Sequence, residues 1–354
     1  MQPVAYAIGC IKNIISDNLM KNVTIEDIAK KLGVSRSTVS RALRDHPLIS
    51  TETKEQVKKI AKKFNYKPNL IAQSLSNNKA QIIGVIVPDI KYEFFSYAIS
   101  GIEEVAYKSG YTIILCQSDE NYEREIINTN SLIKQRVAGI IASVSQNTKN
   151  GRHFSEAIDH GIPVVLFDRI CHDVEANKII IDDVKCSFDA VSHLIDKGYK
   201  KIMHFAGPMT LEICRKRLKG YKDALDSAGI HFKEESVQYG GLGEEDGYNL
   251  MDSLISRKII PDAIFCVNTP MAIGAYMRIR KAGLKIPSEI GLIGYSNNKI
   301  TTLVDPPMTV VNQPSFEMGK KAAEILVELI ESEKKYIKPQ TIVLNANLIV
   351  RGST

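Results

Sequence analysis

Two short amphipathic helix patterns, separated by one glycine near the start of the chain, constrain the fold more than any other feature. The first pattern places four apolar residues at the spacing of a single helix face: Ile25, Ile28, Ala29 and Leu32. Thr24 precedes them as a candidate N-cap, and Glu26 and Asp27 occupy the first turn, where the helix dipole favours acidic side chains. Gly33 suits the sharp turn that must follow. The segment therefore predicts a helix that ends at a tight turn.

The second pattern, which begins after Ser35, differs from the first in the chemistry of its outer face. Ser35 can cap this helix, and Val39, Ala42 and Leu43 fall on its inner side. The outer side carries arginines and serines: Arg36, Ser37, Ser40, Arg41 and Arg44. A helix with a small apolar face and an arginine-rich outer face suits the DNA major groove. A solvated charged helix in another kind of helical hairpin is the alternative that this pattern alone leaves open.

The distribution of charge supports a contact with nucleic acid. The chain has 354 residues, enough for two or three domains, and a formal net charge of +6. Residues 20–79 contain 13 Lys/Arg and five Asp/Glu, a net charge of +8, so the remaining residues sum to −2. Basic charge is therefore concentrated around the two helix patterns, as expected for a surface that neutralises DNA phosphates.

The segment that follows extends the basic region. A third helix is predicted from about Thr51 to Asn65, with Ser50 as its N-cap. Its outer side carries five lysines: Lys54, Lys58, Lys59, Lys62 and Lys63. The three helices would form an all-α DNA-binding head over residues 20–66. Residues 67–79 are predicted to be a hinge helix or a linker, because an isolated helix of about two turns is marginal in water.

Cysteine, histidine and hydropathy patterns exclude several kinds of site. The six cysteines include no CxxC pair and the seven histidines show no metal-ligand spacing, so we predict no metal, no disulfide framework and no cofactor. No apolar run approaches the ~20 residues of a membrane span, which favours a cytoplasmic protein with reduced thiols. Residues 1–19 make a poor signal peptide. They are either a helical extension or a stretch upstream of a natural start at Met20.

From about residue 80 the pattern changes to short apolar strands that alternate with helical segments. Eight apolar runs carry this pattern: 82–88, 112–115, 139–142, 163–167, 201–205, 236–239, 263–267 and 290–294. Continuous apolar strands between helices predict α/β architecture with parallel sheets covered on both faces. The runs form two consecutive units of similar size. They predict a two-lobed body with a cleft.

Four ordered motifs run through the chain: Ser35–Arg41 in the head, then Val165–Arg169, Arg217–Tyr221 and Met271–Ala275 in the body. With these motifs, the chain from about Lys21 to Arg351 resembles the lactose-repressor/purine-repressor (LacI-type) family of bacterial transcriptional regulators. The resemblance implies a helix-turn-helix head on a periplasmic-binding-protein-like effector domain. The lobes of that domain would span about 80–181 with 312–344, and 182–311 with 345–354. It also implies a homodimer, paired through the effector domains, that binds a pseudo-palindromic DNA operator.

The resemblance assigns DNA-binding positions residue by residue. Arg36 and Ser37 match positions that reach base edges in the major groove, and Arg41 matches a further base or backbone contact. Leu75 matches a hinge leucine that wedges between base pairs in the minor groove, beside Ala72. The full predicted set is Thr24, Ser35, Arg36, Ser37, Thr38, Ser40, Arg41, Ala72 and Leu75. Contacts of the arginines to phosphate alone, and dimer packing by Leu75, are the alternatives.

The resemblance also assigns an effector site to the predicted cleft. Its residues match Phe94, Phe95, Ser143, Asp168, Arg217, Leu242, Asn268 and Ser296. The guanidinium of Arg217 suits vicinal hydroxyls or a carboxylate, whereas Asp168 and Arg169 are alternatively a structural ion pair. Many sugar- and purine-binding members carry Asp in place of Ser296 and of Thr269. The loss of the carboxylate at Ser296 leaves a phosphorylated, acidic or co-regulator-type effector open beside a sugar.

Two other classes of protein are compatible with parts of the sequence. An enzyme with a DNA-binding head would be expected to carry a catalytic motif, and the chain contains no P-loop, G-x-S-x-G or H-E-x-x-H. A periplasmic solute-binding protein would need an export signal and would lack the basic head. The sequence therefore predicts a non-enzymatic transcriptional repressor whose operator affinity changes when a sugar or related metabolite binds. A regulator that depends on a purine or nucleoside co-repressor is the alternative.

Overall fold

The structure, a computed structural model, describes most of the chain: residues 23–43, 45–64, 66, 81–296, 298–332 and 338–354. It divides into two compact units, within residues 1–79 and 80–354. The extension at residues 1–19, Arg44 and the hinge positions Ala72 and Leu75 lie outside the described residues. Among the described helices, none is long and apolar enough to cross a membrane.

The head contains three short helices: α1 (Ile25–Leu32), α2 (Arg36–Leu43) and α3 (Thr51–Lys63). Thr24 and Asp27 form a reciprocal capping box at the start of α1, and Gly33 ends that helix in the left-handed conformation, at φ 64°. The Ser35 hydroxyl accepts a hydrogen bond from the Thr38 amide at 3.1 Å. Ser50 caps α3 in the same way. The three predicted N-caps and the predicted turn at Gly33 are therefore confirmed, whereas α3 ends at Lys63, two residues before the predicted Asn65.

One small apolar core joins these helices. It contains residues from all three: Ile28, Ala29, Val39, Ala42, Val57 and Ala61. Burial of Val39 and Ala42 fixes the rotation of α2 about its axis. The opposite face of α2 therefore points to solvent, and so do most of the lysines on α3.

The second unit contains two six-stranded sheets. The first is formed by β1 (Ile82–Val87), β2 (Thr112–Gln117), β3 (Gly139–Ala142), β4 (Val164–Phe167), β5 (Asn177–Ile181) and β11 (Thr341–Leu344). Its strands are parallel and lie in the order β11-β5-β4-β3-β1-β2. The second is formed by β6 (Ile202–Ala206), β7 (Val237–Tyr239), β8 (Ala263–Cys266), β9 (Gly291–Tyr295), β10 (Thr309–Asn312) and β12 (Asn347–Ile349). Its order is β12-β10-β9-β8-β6-β7, and only the pairing of β12 with β10 is antiparallel.

Helices connect the strands of both sheets, as the alternating pattern predicts. They are α4 (Glu93–Lys108), α5 (Tyr122–Lys134), α6 (Arg152–Asp159), α7 (Asp183–Asp196), α8 (Glu212–Ser227), α9 (Glu244–Ser256), α10 (Thr269–Lys281), α11 (Ile300–Leu303) and α12 (Ser315–Glu331). Within the described part of the chain, the backbone passes between the two sheets after β5, β10 and β11. All eight predicted strands are present. β5, β10, β11 and β12 were not predicted, and the edge strands β11 and β12 are short and partly exposed.

Two glycines allow α4 and α12 to pack closely against each other. A Cβ atom on Gly319 would lie 1.9 Å from the Ala98 carbonyl oxygen, and one on Gly101 would lie 2.1 Å from that of Phe316. Backbone atoms cannot yield as a flexible side chain can. Gly319→Ala is therefore expected to lower the free energy of unfolding by about 1–3 kcal/mol.

Urea denaturation followed by far-UV circular dichroism measures this effect. Glu328→Ala, an exposed position of the same helix, is the matched control and should unfold at nearly the wild-type midpoint. Equal midpoints for the two variants would show that the helices separate without cost.

Candidate functional site

The outer face of α2 is the candidate DNA-binding face. Arg36, Ser37 and Arg41 are exposed on it, whereas Val39 and Ala42 on the opposite side have no exposed surface. The guanidinium groups of this face can donate to guanine edges or to phosphate oxygens. The predicted base-reading side chains therefore take no part in the apolar core of the head and are exposed to solvent.

Hydroxyl groups cluster at the start of α2. The Ser35 oxygen lies 2.7 Å from the Ser37 hydroxyl and 2.9 Å from that of Thr38, and Ser40 is half-buried. Thr24, at the start of α1, donates to an Asp27 carboxylate oxygen at 2.7 Å. Thr24 and Ser35 therefore act as helix caps in this structure, and their contacts with DNA stay predictions.

The lysines of α3 are not equivalent as candidate phosphate ligands. The Lys58 ammonium lies 2.6 Å from an Asp45 carboxylate oxygen, and both side chains are largely exposed. This ammonium holds the pKa of Asp45 below its usual range. Lys59, Lys62 and Lys63 are exposed and make no ion pair among the described residues, which makes them more available to DNA.

A cleft in the body lies where three strands end. Asp168 follows β4, Asn268 lies just beyond β8, and Ser296 follows β9, and the carboxyl ends of parallel strands are the usual place for ligands in open α/β sheets. The cleft is lined by Tyr92, Phe94, Phe95, Asp168, Arg169, Ile213, Arg217, Leu242, Asn268, Pro270, Tyr295, Ser296, Asn298 and Gln313. Within the described ranges, no group of three or more His, Cys, Asp or Glu side chains is arranged to hold a metal ion.

The structure brings together seven of the eight residues that the resemblance assigned to this cleft. Ser143 is the exception. It is fully buried behind the end of β3, and its hydroxyl has no hydrogen-bond partner among the described residues. Sequence reasoning missed six lining residues: Tyr92, Ile213, Pro270, Tyr295, Asn298 and Gln313. All but Ile213 and Gln313 stand within two residues of an assigned position.

Arg217 is held by the chain itself. Its Nε donates to an Asp183 carboxylate oxygen at 2.8 Å, and a terminal nitrogen donates to the Val267 carbonyl at 2.5 Å. The guanidinium carbon lies 3.6 Å from the centre of the Tyr295 ring, and the Tyr295 hydroxyl donates to the same Asp183 oxygen at 3.1 Å. Burial raises the pKa of Tyr295, which keeps this hydroxyl protonated. Part of the arginine fork is therefore occupied before any effector arrives.

Asp168 has no comparable partner in the described part of the chain. Its backbone is in the left-handed region, at φ 58°, and its carboxylate accepts a long hydrogen bond, 3.4 Å, from the Gln313 amide. Arg169 does not bond to it but donates to both carboxylate oxygens of Glu120, at 2.8 and 2.9 Å. Burial raises the pKa of Asp168 to about 6, although the positive charges of Arg169 and Arg217 act to lower this pKa. The alternative of an Asp168–Arg169 ion pair is not supported, because Arg169 pairs elsewhere.

The two positions that depart from the common pattern lie close together. The Ser296 hydroxyl donates to the Asn298 side chain at 3.1 Å. The buried Thr269 hydroxyl lies 2.9 and 2.6 Å from the carbonyl oxygens of Tyr295 and Ser296. Asn268 caps α10 and donates to the Leu242 carbonyl at 2.8 Å. The described residues of this wall of the cleft therefore contribute amides and hydroxyls and no carboxylate.

Aromatic rings form another part of the cleft wall. The rings of Phe94 and Phe95 meet edge to face, with centroids 5.2 Å apart. Phe95 also packs against Phe167 and lies under the Arg169 guanidinium, at 5.6 Å. These rings provide an apolar surface on which a sugar ring or a planar base can rest.

Two family profiles match the chain. "Bacterial regulatory proteins, lacI family" matches residues 24–69, and "Periplasmic binding proteins and sugar binding domain of LacI family" matches residues 80–348. The chain belongs to the LacI family of bacterial regulatory proteins. This LacI-family protein is a transcriptional regulator with a helix-turn-helix head and a periplasmic-binding-protein-like effector domain, as the sequence predicted.

Similar proteins cover nearly the whole length of this LacI-family chain. The transcriptional repressor PurR of Vibrio atlanticus (strain LGP32) is 35% identical over 312 residues, 88% of this chain and 92% of the relative. The repressor CytR of Escherichia coli (strain K12) is 32% identical over 336 residues, 94% and 96% of the two chains. Among solved structures, a complex of the transcriptional regulator CelR with cellobiose matches with a TM-score of 0.71 and 27% identity, over 94% and 100% of the chains.

Proposed function

We propose that this regulator represses transcription as a homodimer on a pseudo-palindromic operator. The observation that carries the proposal is the face of α2, where Arg36, Ser37 and Arg41 are exposed above a fully buried Val39. Two copies of such a helix, one in each major groove, would read two half-sites. The names of PurR and CytR as transcriptional repressors support the direction of regulation.

Each predicted DNA contact has a distinct role in this proposal. Arg36 and Ser37 read base edges, and Arg41 contacts a further base or the backbone. Four hydroxyl side chains contact phosphates: Thr24, Ser35 and Thr38, which lie at the starts of helices, and Ser40. The hinge residues Ala72 and Leu75, which lie outside the described residues, enter the minor groove and bend the DNA.

The cleft of the body binds the effector, which we propose to be a sugar or a related metabolite. The cleft joins polar side chains of both sheets to an aromatic surface, and the CelR relative was solved with cellobiose. Binding there changes the relative position of the lobes, hence the spacing of the hinges across the dimer and the affinity for the operator. The protein acts in the cytoplasm, without catalysis.

Arg36→Ala tests the assignment of base reading. An operator is first selected from random DNA with the wild-type protein, and its single-base variants are then titrated by fluorescence anisotropy. The substitution is expected to weaken binding by roughly 1–3 kcal/mol and to relax the preference at one base pair of each half-site. Lys59→Ala is the control, because an exposed lysine that contacts phosphate lowers the affinity for every variant equally.

The test depends on how the loss of affinity varies among the operator variants, more than on its size. If Arg36→Ala weakened all operator variants equally, as Lys59→Ala should, Arg36 would be a phosphate contact. If the wild-type protein selected no sequence at all, the proposal of a sequence-specific repressor would fail.

A further inference from the structure

The ionisable groups at the base of the cleft are not balanced in charge. Among the described residues, three charged side chains line the cleft: Arg169, Arg217 and Asp168. Two carboxylates outside the lining, Glu120 and Asp183, pair with the arginines. The Arg169 guanidinium is neutralised by Glu120 at 2.8 Å, and that of Arg217 by Asp183 at 2.8 Å. One carboxylate, Asp168, is left over. The cleft therefore carries a net charge of about −1 when all five groups are ionised.

The excess charge is buried and poorly satisfied. Asp168 is 8% exposed, and the 3.4 Å contact with Gln313 is the one side-chain hydrogen bond that it accepts among the described residues. A buried carboxylate with a single long hydrogen bond is unstable unless further donors reach it. Asp168 also lines the cleft, so a bound molecule is able to supply those donors.

This arrangement discriminates between ligands by charge. A phosphate or carboxylate would find both guanidinium groups already paired and would face a third, unpaired carboxylate in a site that excludes water. Hydroxyl or ammonium groups would instead satisfy that carboxylate. We propose that Asp168 selects an effector that is an uncharged or amine-bearing ring compound with hydroxyl donors, and rejects phosphate esters and carboxylic acids of the same ring. This inference rests on the proposed function, because it assumes that the cleft is the effector site.

The same carboxylate links effector binding to pH. The charged groups that face Asp168 are Arg169, Arg217 of α8 and Asp183 of α7, with the Tyr295 hydroxyl of β9 beyond them. Because the pKa of Asp168 is raised to about 6, protonation competes with the ligand's donors in the range below pH 6. The affinity is then expected to fall about tenfold for each pH unit below that value.

The test uses ligands that differ only in charge. The full-length protein is screened by thermal shift with glucose, glucosamine and glucose 6-phosphate, with ribose and ribose 5-phosphate, and with adenosine and AMP, since a ligand of the folded state raises the melting temperature. We expect at least one uncharged or amine-bearing compound to bind, at least tenfold more tightly than its phosphate ester. A phosphate ester that binds more tightly than its parent would overturn the proposal, as would the absence of binding by every uncharged or amine-bearing compound.

Asp168→Asn assigns the effect to this residue. Asparagine tolerates the left-handed backbone at this position, and the substitution removes the charge but keeps the shape. We expect the preference over the phosphate ester to fall at least tenfold and the pH dependence below pH 6 to disappear. Asp226→Asn, at an exposed position of α8, should leave both unchanged. If Asp168→Asn kept the wild-type preference and pH profile, Asp168 would have no such role.

Failure of this inference is distinguishable from failure of the proposed function. Operator selection and titration need no effector, so they test the DNA-binding function independently. A protein that binds its operator but prefers phosphate esters would overturn only the role of Asp168.

Discussion

Arg217→Ala is expected to lower the free energy of unfolding of the body by about 3–5 kcal/mol. The substitution leaves Asp183, which is 4% exposed, with the Tyr295 hydroxyl but without its cation. An uncompensated buried carboxylate is far more costly than the loss of the arginine contacts alone. Far-UV circular dichroism in urea measures the change, since the chain contains no tryptophan to report by fluorescence. The protein concentration must be held constant if the protein is a dimer.

A double variant separates the buried charge from lost packing. Arg217→Met combined with Asp183→Asn removes both charges and keeps most of the volume, so it should be markedly more stable than Arg217→Ala. The single variants Arg217→Met and Asp183→Asn complete the comparison. If their losses of unfolding free energy simply added in the double variant, the two residues would not be coupled. Because Arg217 also supports the fold, a lost effector response in Arg217→Ala would not by itself show a contact with the effector.

Asp168→Asn is expected to have the opposite effect and to raise the free energy of unfolding by about 3 kcal/mol above pH 7. Burial raises the pKa of Asp168 from 3.8 to about 6, and each pKa unit corresponds to about 1.4 kcal/mol. The folded state disfavours the ionised carboxyl, so the cost is fully present above about pH 7, where the carboxyl is ionised in both states. As the pH falls towards 4, both states become protonated and the cost disappears.

Urea denaturation at pH 8 and at pH 4.5 checks whether Asp168→Asn stabilises the folded protein when the carboxyl would be ionised. The advantage of Asp168→Asn over wild type should be large at pH 8 and small at pH 4.5, and Asp226→Asn should follow wild type at both values. A variant less stable than wild type at pH 8 would mean that ionised Asp168 makes stabilising contacts stronger than its desolvation cost.

Arg217→Ala is expected to lower the free energy of unfolding and Asp168→Asn to raise it, although both residues line the same cleft. The difference lies in whether each charged side chain has an oppositely charged partner. Arg217 and Asp183 satisfy each other, so removal of one harms the other. Among the residues that the structure describes, no cation lies within hydrogen-bond distance of Asp168, whose burial therefore carries an uncompensated cost. Uncompensated polar groups are typical of binding sites, where the ligand supplies the missing partner. The unpaired residue is thus the stronger candidate for a group that responds to the effector.

The sequence by itself determined those features that depend on neighbouring residues. The N-cap at Thr24 and the turn at Gly33 need only a few consecutive residues, and they appear where local patterns predict them. The eight predicted strands follow from continuous apolar runs for the same reason. The family resemblance, and no local pattern, placed Asp168, Asn268 and Ser296 in one cleft; the structure adds that each lies just beyond the end of a parallel strand.

Only the tertiary structure decided how charges pair in the cleft. Asp183 reaches Arg217 across 34 residues, because α7 and α8 pack closely at Gly220, where a Cβ would lie 2.2 Å from the Val184 carbonyl oxygen. Glu120 reaches Arg169 across 49 residues. Such partners leave no periodic or local signal in the sequence. The distance between two buried charges is set by helix packing, and it determines which carboxylate stays unpaired.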